Sequence, residues 1–308
     1  MESIKVSVII PTYKRSVDIK RAVDSVLSQT LTNIECIVVD DNGVGSEEGE
    51  KTAKIIGEYS DERLIYVRHE QNKNGAAARN SGIERARGEY VAFLDDDDIF
   101  LPRRLEVLSK RLDELGESYG SAYSAYIKNM ADGSRQISNE KAEGDVFLQV
   151  LMRSLFIGTG SNLFFRKSAM DDIGLFDVSF RRNQDLEYLT RITKKYKMAY
   201  IDEPLMEAFY DVRTSNMTFE QSVEREKLFR EKFSPWLSEL SDKEKREVLT
   251  MYEIDWLRFC ISRKKFGKAL GTVFKAKIPF YVYCNYASYV LDRMKNKTSY
   301  GFVVKLKK

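Results

Sequence analysis

At 308 residues the chain is long enough for a full core, and its 43% apolar and 31% charged composition is ordinary for a globular protein, either one large domain with an appendage or two domains. Its three cysteines, Cys36, Cys260 and Cys284, are too widely spaced for a zinc site or a disulfide framework, which points to a reducing, cytoplasmic setting. The net charge of +3 is unevenly spread: from Arg263 onward twelve Lys or Arg face one acid, Asp292, a balance of +11 that leaves about −8 for the rest. The stretch after Met1 lacks the pattern of a signal peptide, and no apolar run has the length of a membrane span.

In chain order, Val6 to Ile10 reads as a buried strand, and Ile19, Ala22, Val23, Val26 and Leu27 share one helical face. Ile34 to Val39, Leu64 to Val67 and Tyr90 to Leu94 are further strands. Ala76 to Arg87 suits a helix ended by Gly88 in a left-handed cap. Strands alternating with helices imply a mostly parallel sheet covered on both faces. A helix should then start at Pro102, with Leu105, Leu108, Leu112 and Leu115 as its stripe. Ser121 to Lys128, followed by Asp132 and Gly133, forms one arm of a hairpin. A strand at Asn162 to Phe165, a helix at Gln184 to Lys195 and strands near Met198 to Ile201 and Met206 to Val212 complete a mixed sheet, and helices follow from Thr218.

Ligands of open α/β sheets collect beyond the carboxyl ends of the strands. The first strand runs into Pro11, Thr12, Tyr13, Lys14 and Arg15, the second into Asp40 and Asp41, and the fourth into Asp95, Asp96, Asp97 and Asp98. Four adjacent carboxylates repel one another unless solvent or a cation relieves them. An acidic run is often only a solvated loop, but this one directly follows a buried strand. Hard oxygen ligands suit Mg²⁺ or Mn²⁺, which keep coordination places for water and phosphate. Neither G-x-G-x-x-G after the first strand nor G-x-x-x-x-G-K-[ST] is present, which argues against a dinucleotide enzyme or a P-loop NTPase.

Five segments in order, VSVIIPTYKR, IECIVVDDN, NGAAARNSGI, GEYVAFLDDDD and GLFDVSFRRNQDLEYLTRI, resemble the family 2 glycosyltransferases of the GT-A fold over roughly the first 215 residues. The resemblance implies an α/β, Rossmann-like mixed sheet with a nucleotide-sugar half at 1–101, an acceptor half at 102–217 and a helical, basic extension at 218–308. It implies a nucleoside diphosphate sugar donor, a uridine nucleotide by preference, and a saccharide or lipid-linked saccharide acceptor. Pro11, Thr12, Tyr13 and Arg15 would line the nucleotide pocket, and Asp40 and Asp41 would fix the base. Arg79 would lie near the diphosphate. Asp96 would reach the ribose, and Asp97 with Asp95 would hold Mn²⁺ or Mg²⁺. Asp185 would be the catalytic base of an inverting transfer; its plain alternative is an N-terminal helix cap. In similar enzymes an acid precedes the base, and here Gln184 stands in its place. Where they often have a histidine, this chain has Arg213, whose guanidinium suits the leaving diphosphate.

Two other functions stay open from sequence: a catalytically silent nucleotide-sugar-binding scaffold, which Gln184 and Arg213 keep alive, and a metal-dependent nucleotide hydrolase or nucleotidyltransferase. The lone His69 reads as structural or solvent-exposed, and Gly158 to Ser161 as an acceptor-pocket segment or a turn. In residues 263–308 basic side chains alternate with Phe266, Phe274, Phe280, Tyr281, Tyr283, Tyr286 and Tyr289. An anionic membrane surface is the favoured partner for this stretch. Nucleic acid is the less favoured one, and packing on the body or on a second subunit is the third option.

Overall fold

Val6–Thr12 (β1), Ile34–Asp40 (β2) and Tyr90–Phe93 (β4) are buried almost throughout, so each must be covered from both sides, the condition that favours parallel pairing under helices. The computed structural model describes residues 3–210, 218–296 and 300–307, which fall into two compact units. Met1–Val146 with Ile157–Val212 forms the first, and Phe147–Phe156 with Arg213–Lys308 the second.

The first unit is built on one mixed sheet. β1 pairs in parallel with β2 and with β4, and β2 with Leu64–Arg68 (β3). Phe164–Arg166 (β8) then runs antiparallel to β4 and to Tyr119–Met130 (β6). Beyond it Lys197–Tyr210 (β9) lies parallel to β6, and Ile99–Phe100 (β5) closes the edge against β9. Arg135–Ile137 (β7) completes a hairpin with β6. The order β3-β2-β1-β4-β8-β6-β9-β5 brings the carboxyl ends of β1, β2 and β4 to one rim, where the crossovers diverge.

One sheet face packs on Ile19–Leu27 (α1) and Arg104–Leu115 (α4), with Val8, Cys36, Val38 and Ala92 meeting Val23, Val26, Leu105 and Leu108 in the main core. Glu47–Ile56 (α2) lies beside α1, its first turn capped by the Ser46 side chain. Gly75–Arg85 (α3) takes the opposite face of β1 and β2 and approaches very closely: a Cβ on Gly82 would stand 2.4 Å from Ile9 Cγ2. Lys167–Ile173 (α6) and Gln184–Lys195 (α7) complete this unit. The second unit contains Phe147–Leu151 (α5), Phe219–Phe233 (α8), Asp242–Ser262 (α9), Phe266–Lys275 (α10) and Phe280–Asn296 (α11).

Several local expectations change. α3 ends at Arg85, and Gly88 is not a left-handed cap; it is needed because its backbone passes Ser7, whose amide nitrogen would be 2.5 Å from a Cβ. α4 starts at Arg104, two residues beyond Pro102. The two strands expected near 198–212 are one strand, β9, whose register against β6 shifts at several points; those irregularities absorb Pro204, which has no N–H for a regular ladder.

Substituting Gly82→Ala should destabilise the chain by about 1–3 kcal/mol through overpacking on Ile9. Urea unfolding checks this, and Ile9→Ala combined with Gly82→Ala should cost less than the two single changes added together.

Candidate active site

At the shared rim a cleft of about 470 Å³ opens between the segments that follow β1, β2 and β4 and the start of α3. Pro11, Thr12, Tyr13 and Arg15 line it from β1, Asp41 from β2, and Asp95, Asp96 and Asp97 from β4. Asn74, Gly75, Ala78 and Arg79 contribute the first turns of α3, so the positive end of that helix opens on the cleft. Asn74 caps α3 from the left-handed region (φ 87°), its Oδ1 accepting from the amides of Ala76 and Ala77.

The four aspartates form a turn beyond β4, the Asp98 amide donating to the Asp95 carbonyl (3.0 Å), and within that turn they alternate in burial. Asp95 and Asp97 are half-buried and Asp96 and Asp98 are buried. Asp96 accepts from Thr12 Oγ1 (2.7 Å), and burial, opposed by that bond and by Arg15, pushes its carboxyl up to about 7. Asp97 pairs with Arg15. Asp98 turns inward and accepts from Ser161 Oγ (2.6 Å), Thr159 Oγ1 (3.0 Å) and the Phe209 amide (3.1 Å). Burial and the neighbouring Asp95 charge raise its carboxyl above the ordinary range. Behind it the fully buried Arg104 donates to Ser124 Oγ (2.9 Å) and to the Ser161 carbonyl (3.1 Å). Asp98 therefore fastens the Gly158–Ser161 segment and β9 to the tip of β4.

Arg79 joins the two sides of the site. Its Nη2 donates to Asp95 Oδ1 (2.7 Å) and its Nη1 to Gln184 Oε1 (2.8 Å) in the first turn of α7. Asp185 lies next to this bridge: a Cβ on Gly160 would be 3.8 Å from Arg79 Nη2 and 4.0 Å from Asp185 Oδ2. The tip of β4 and the start of α7 thus meet across one arginine. Burial raises the Asp185 carboxyl, and the Arg79 charge opposes that rise. Asp185 is not the N-cap residue: that position is Asn183, left-handed (φ 58°), whose side chain makes no cap bond, while backbone amides at Leu186 and at Asp185 itself donate to the Asp185 carboxylate.

Asp40, expected at the base pocket, does not line the cleft: its buried carboxylate accepts from Tyr66 Oη and from the backbone and side chain of Asn42. Asp41 does line it, and its own loop holds it. His69 Nδ1 (2.7 Å), Asn72 Nδ2 (2.8 Å) and the amides of Lys73 (2.8 Å) and Asn74 (3.0 Å) all donate to its two oxygens. His69 is buried rather than solvent-exposed, its other nitrogen meeting Ser81 Oγ (2.9 Å), so it acts as a strut for Asp41. Arg213 lies outside the described residues.

Sequence reasoning missed Arg181, an exposed arginine that lines the cleft and has no hydrogen-bond or ion-pair partner among the described residues. The segment carrying it is tied to α3, because Asn80 exchanges two hydrogen bonds with the Phe176 backbone (2.8 and 2.9 Å) and Asn74 Nδ2 donates to the Val178 carbonyl (3.2 Å). The doublet Arg181–Arg182 just ahead of the α7 acid was the available signal.

Among the described residues no three His, Cys, Asp or Glu side chains converge as a ready-made metal cluster. Asp95 and Asp97 are two hard donors facing the cleft, each now paired with an arginine. Such a set fits a cation that takes most of its shell from water and a substrate phosphate, and does not fit one caged by protein.

The chain belongs to glycosyltransferase family 2, whose model matches residues 7–174, and it is a glycosyltransferase. It is 30% identical over 248 residues to an uncharacterised glycosyltransferase of Rickettsia typhi, covering 78% of this chain and 73% of that one. It is 32% identical over 215 residues to the amylovoran biosynthesis glycosyltransferase AmsB of Erwinia amylovora, covering 67% of this chain and 69% of that one. Some relatives are much longer: the chain spans 32% of a Rickettsia conorii glycosyltransferase to which it is 32% identical. In fold it resembles crystal structures of Staphylococcus aureus TarS residues 1–349, with TM-score 0.64 at 19% identity over 88% of this chain and 80% of that one. A second such structure, in complex with UDP-GlcNAc, gives 0.63 at 21% identity over 80% and 71%. The fold is that of the GT-A enzymes, with C-terminal helices added.

The aspartates should separate in a stability measurement. Asp98→Ala leaves three donors without their acceptor and should cost about 2–4 kcal/mol by urea unfolding. Asp97→Ala removes one half-buried ion pair and should cost about 1 kcal/mol or less.

Proposed function

We propose that the chain moves a sugar from a nucleoside diphosphate, a uridine nucleotide by preference, to an acceptor hydroxyl with inversion at the anomeric carbon. The observation that carries this reading is the Arg79 bridge, which draws the aspartates of β4 and the acid of α7 into one site beside an open cleft. The complex of TarS with UDP-GlcNAc, a protein of the same fold, supports a uridine donor. Saccharide or lipid-linked saccharide acceptors in surface polysaccharide assembly agree with the likeness to AmsB.

In this reading Thr12, Tyr13 and Asp41 receive the base, and Asp96, braced by Thr12, receives the ribose. Asp97 and Asp95 would hold Mg²⁺ or Mn²⁺, which neutralises charge on the departing diphosphate when bound. Arg79, Arg181 and Arg15 supply fixed cations for the same phosphates, and Arg213 would add another. Asp185 accepts the proton of the acceptor hydroxyl as its oxygen bonds to the anomeric carbon. The bond from that carbon to the diphosphate oxygen breaks, and the nucleoside diphosphate leaves.

Release of nucleoside diphosphate from a panel of sugar nucleotides, with Mn²⁺ or Mg²⁺ and then with chelator, tests the donor and the metal. Asp97→Ala and Asp185→Asn should each lower transfer by at least about 10³-fold, the second with nucleoside diphosphate binding kept. Cleavage within the phosphates with no sugar on any acceptor would instead establish a hydrolase or nucleotidyltransferase.

A base works only when ionised, so activity should fall as pH drops through the Asp185 pKa. Because burial raises that pKa, the acid limb of kcat/KM should lie above the ordinary aspartate value of about 3.9. Arg79 holds the carboxyl down, so Arg79→Ala should move the limb to still higher pH, apart from any loss of donor affinity.

A further inference from the structure

Helix α10 is built inside out. A helix docked on a globular unit normally turns its large apolar residues inward, yet α10 buries Ala269 and Thr272 and exposes Phe266 (64%), Leu270 (58%), Val273 (39%) and Phe274 (76%). The exposed four recur at intervals of four, three and one, so they form one stripe along the helix. Inward, Ala269 packs with Cys260 of α9 and Phe219 of α8, where a small side chain lets the helices approach. Phe280, 80% exposed, begins α11 a few residues on.

The sequence that carries this stripe is charged with one sign. Arg263, Lys264, Lys265, Lys268, Lys275 and Lys277 are all exposed, and the sequence has no acid between Arg263 and Phe280. None of the six makes a salt bridge among the described residues; Lys265 and Lys268 sit over the Phe219 ring (5.5 and 4.4 Å) and feel the Glu220 carboxylate. The other aromatics of the basic region are spent internally: Tyr286 and Tyr289 pack on each other and on Phe302, and Tyr281 Oη accepts from the Lys307 amide. The structure thus separates phenylalanines facing solvent from tyrosines that hold the unit together.

We propose that the outer face of α10, with Phe280, is a docking surface for an anionic lipid bilayer. Phe266, Leu270, Val273 and Phe274 enter the boundary between headgroups and acyl chains, and the flanking lysines remain at the level of the lipid phosphates. No helix among the described residues is long and apolar enough to cross a membrane, so the contact is peripheral. A protein partner covering this face would need acids opposite six cations as well as an apolar groove; an anionic bilayer offers both at once. The surface contains no cleft residue and does not depend on the chemistry proposed above.

Vesicle flotation of the full chain tests this, using phosphatidylglycerol mixed with phosphatidylcholine and phosphatidylcholine alone. The chain should float with the anionic vesicles, less in high salt, and weakly with neutral ones. The triple substitution Phe266→Ser, Leu270→Ser, Phe274→Ser should weaken binding by about tenfold or more. Lys264→Glu and Lys275→Glu should each weaken it by roughly fivefold per charge removed. Because all these residues are exposed, far-UV circular dichroism and the melting temperature should not change. Failure of the wild-type chain to float, or flotation of the triple variant at the wild-type level, overturns the proposal. So does a sedimentation result in which the triple substitution turns an oligomer into a monomer while vesicle binding is unchanged, which would make a second copy the occupant.

Discussion

The site depends on a guanidinium held between two side chains from distant elements: Asp95 beyond the end of β4 and Gln184 at the start of α7, both bonded to Arg79. These carriers are 89 residues apart in sequence and belong to different elements, so the contact exists only if α3 is seated correctly on the sheet. That requirement explains the composition of the helix. Gly75, Ala76, Ala77, Ala78 and Gly82 keep it thin enough to lie on β1, while its polar residues reach out in separate directions. Asn74 and Asn80 hold the 176–178 backbone, Ser81 meets His69, and Arg79 spans the cleft. A helix with few large side chains is a poor helix by packing alone. Here its stability comes from hydrogen bonds to its neighbours, and those same bonds set the geometry of the cleft.

The fold was legible wherever residues repeat with a period. β1, β2 and β4 are continuous apolar runs, α1 and α4 carry clear stripes, and the polar residues after each strand mark the rim. What periodicity cannot supply is the direction of a side chain beyond the regular element. β4 is buried on both faces and the quartet leaves it in a turn, the Asp98 amide donating to the Asp95 carbonyl, so no strand period tells which of the four acids face inward. Asp40 and Asp41 are adjacent and chemically identical, yet one faces Tyr66 and the other the cleft; only the position of β3, set by long-range pairing, distinguishes them. Arg181 escaped notice for a related reason. The apolar residues just before it, Phe176, Val178 and Phe180, lie outside any helix or strand, and its place at the cleft follows from the hydrogen bonds of Asn74 and Asn80 to this segment.

The basic C-terminal region shows the opposite limit. Its composition correctly singled out an unusual surface, but it treated seven aromatics as equivalent when the fold separates three phenylalanines from four tyrosines. A tyrosine can pack its ring inside a small helical unit and still satisfy its hydroxyl at the edge, as Tyr289 does by donating to the Tyr300 carbonyl (2.8 Å). A phenylalanine has no such use for the edge, so leaving it on the outside needs a reason of its own.

Gln184 bears on whether the site is built to react. The pattern that this chain resembles has an acid there, and its absence could be read as a lost function. The geometry argues otherwise. A glutamate at 184 would accept from Arg79 as the amide does, but it would place a second carboxylate on a guanidinium already paired with Asp95, leaving less positive charge for a diphosphate. It would also set a negative charge beside Asp185, whose carboxyl burial already pushes up, and raise it further. With glutamine, Arg79 is positioned by a neutral acceptor, and its charge is shared only with Asp95 while it opposes the rise of the Asp185 carboxyl. The glutamine therefore keeps the electrostatic balance that the proposed role of Asp185 as base requires.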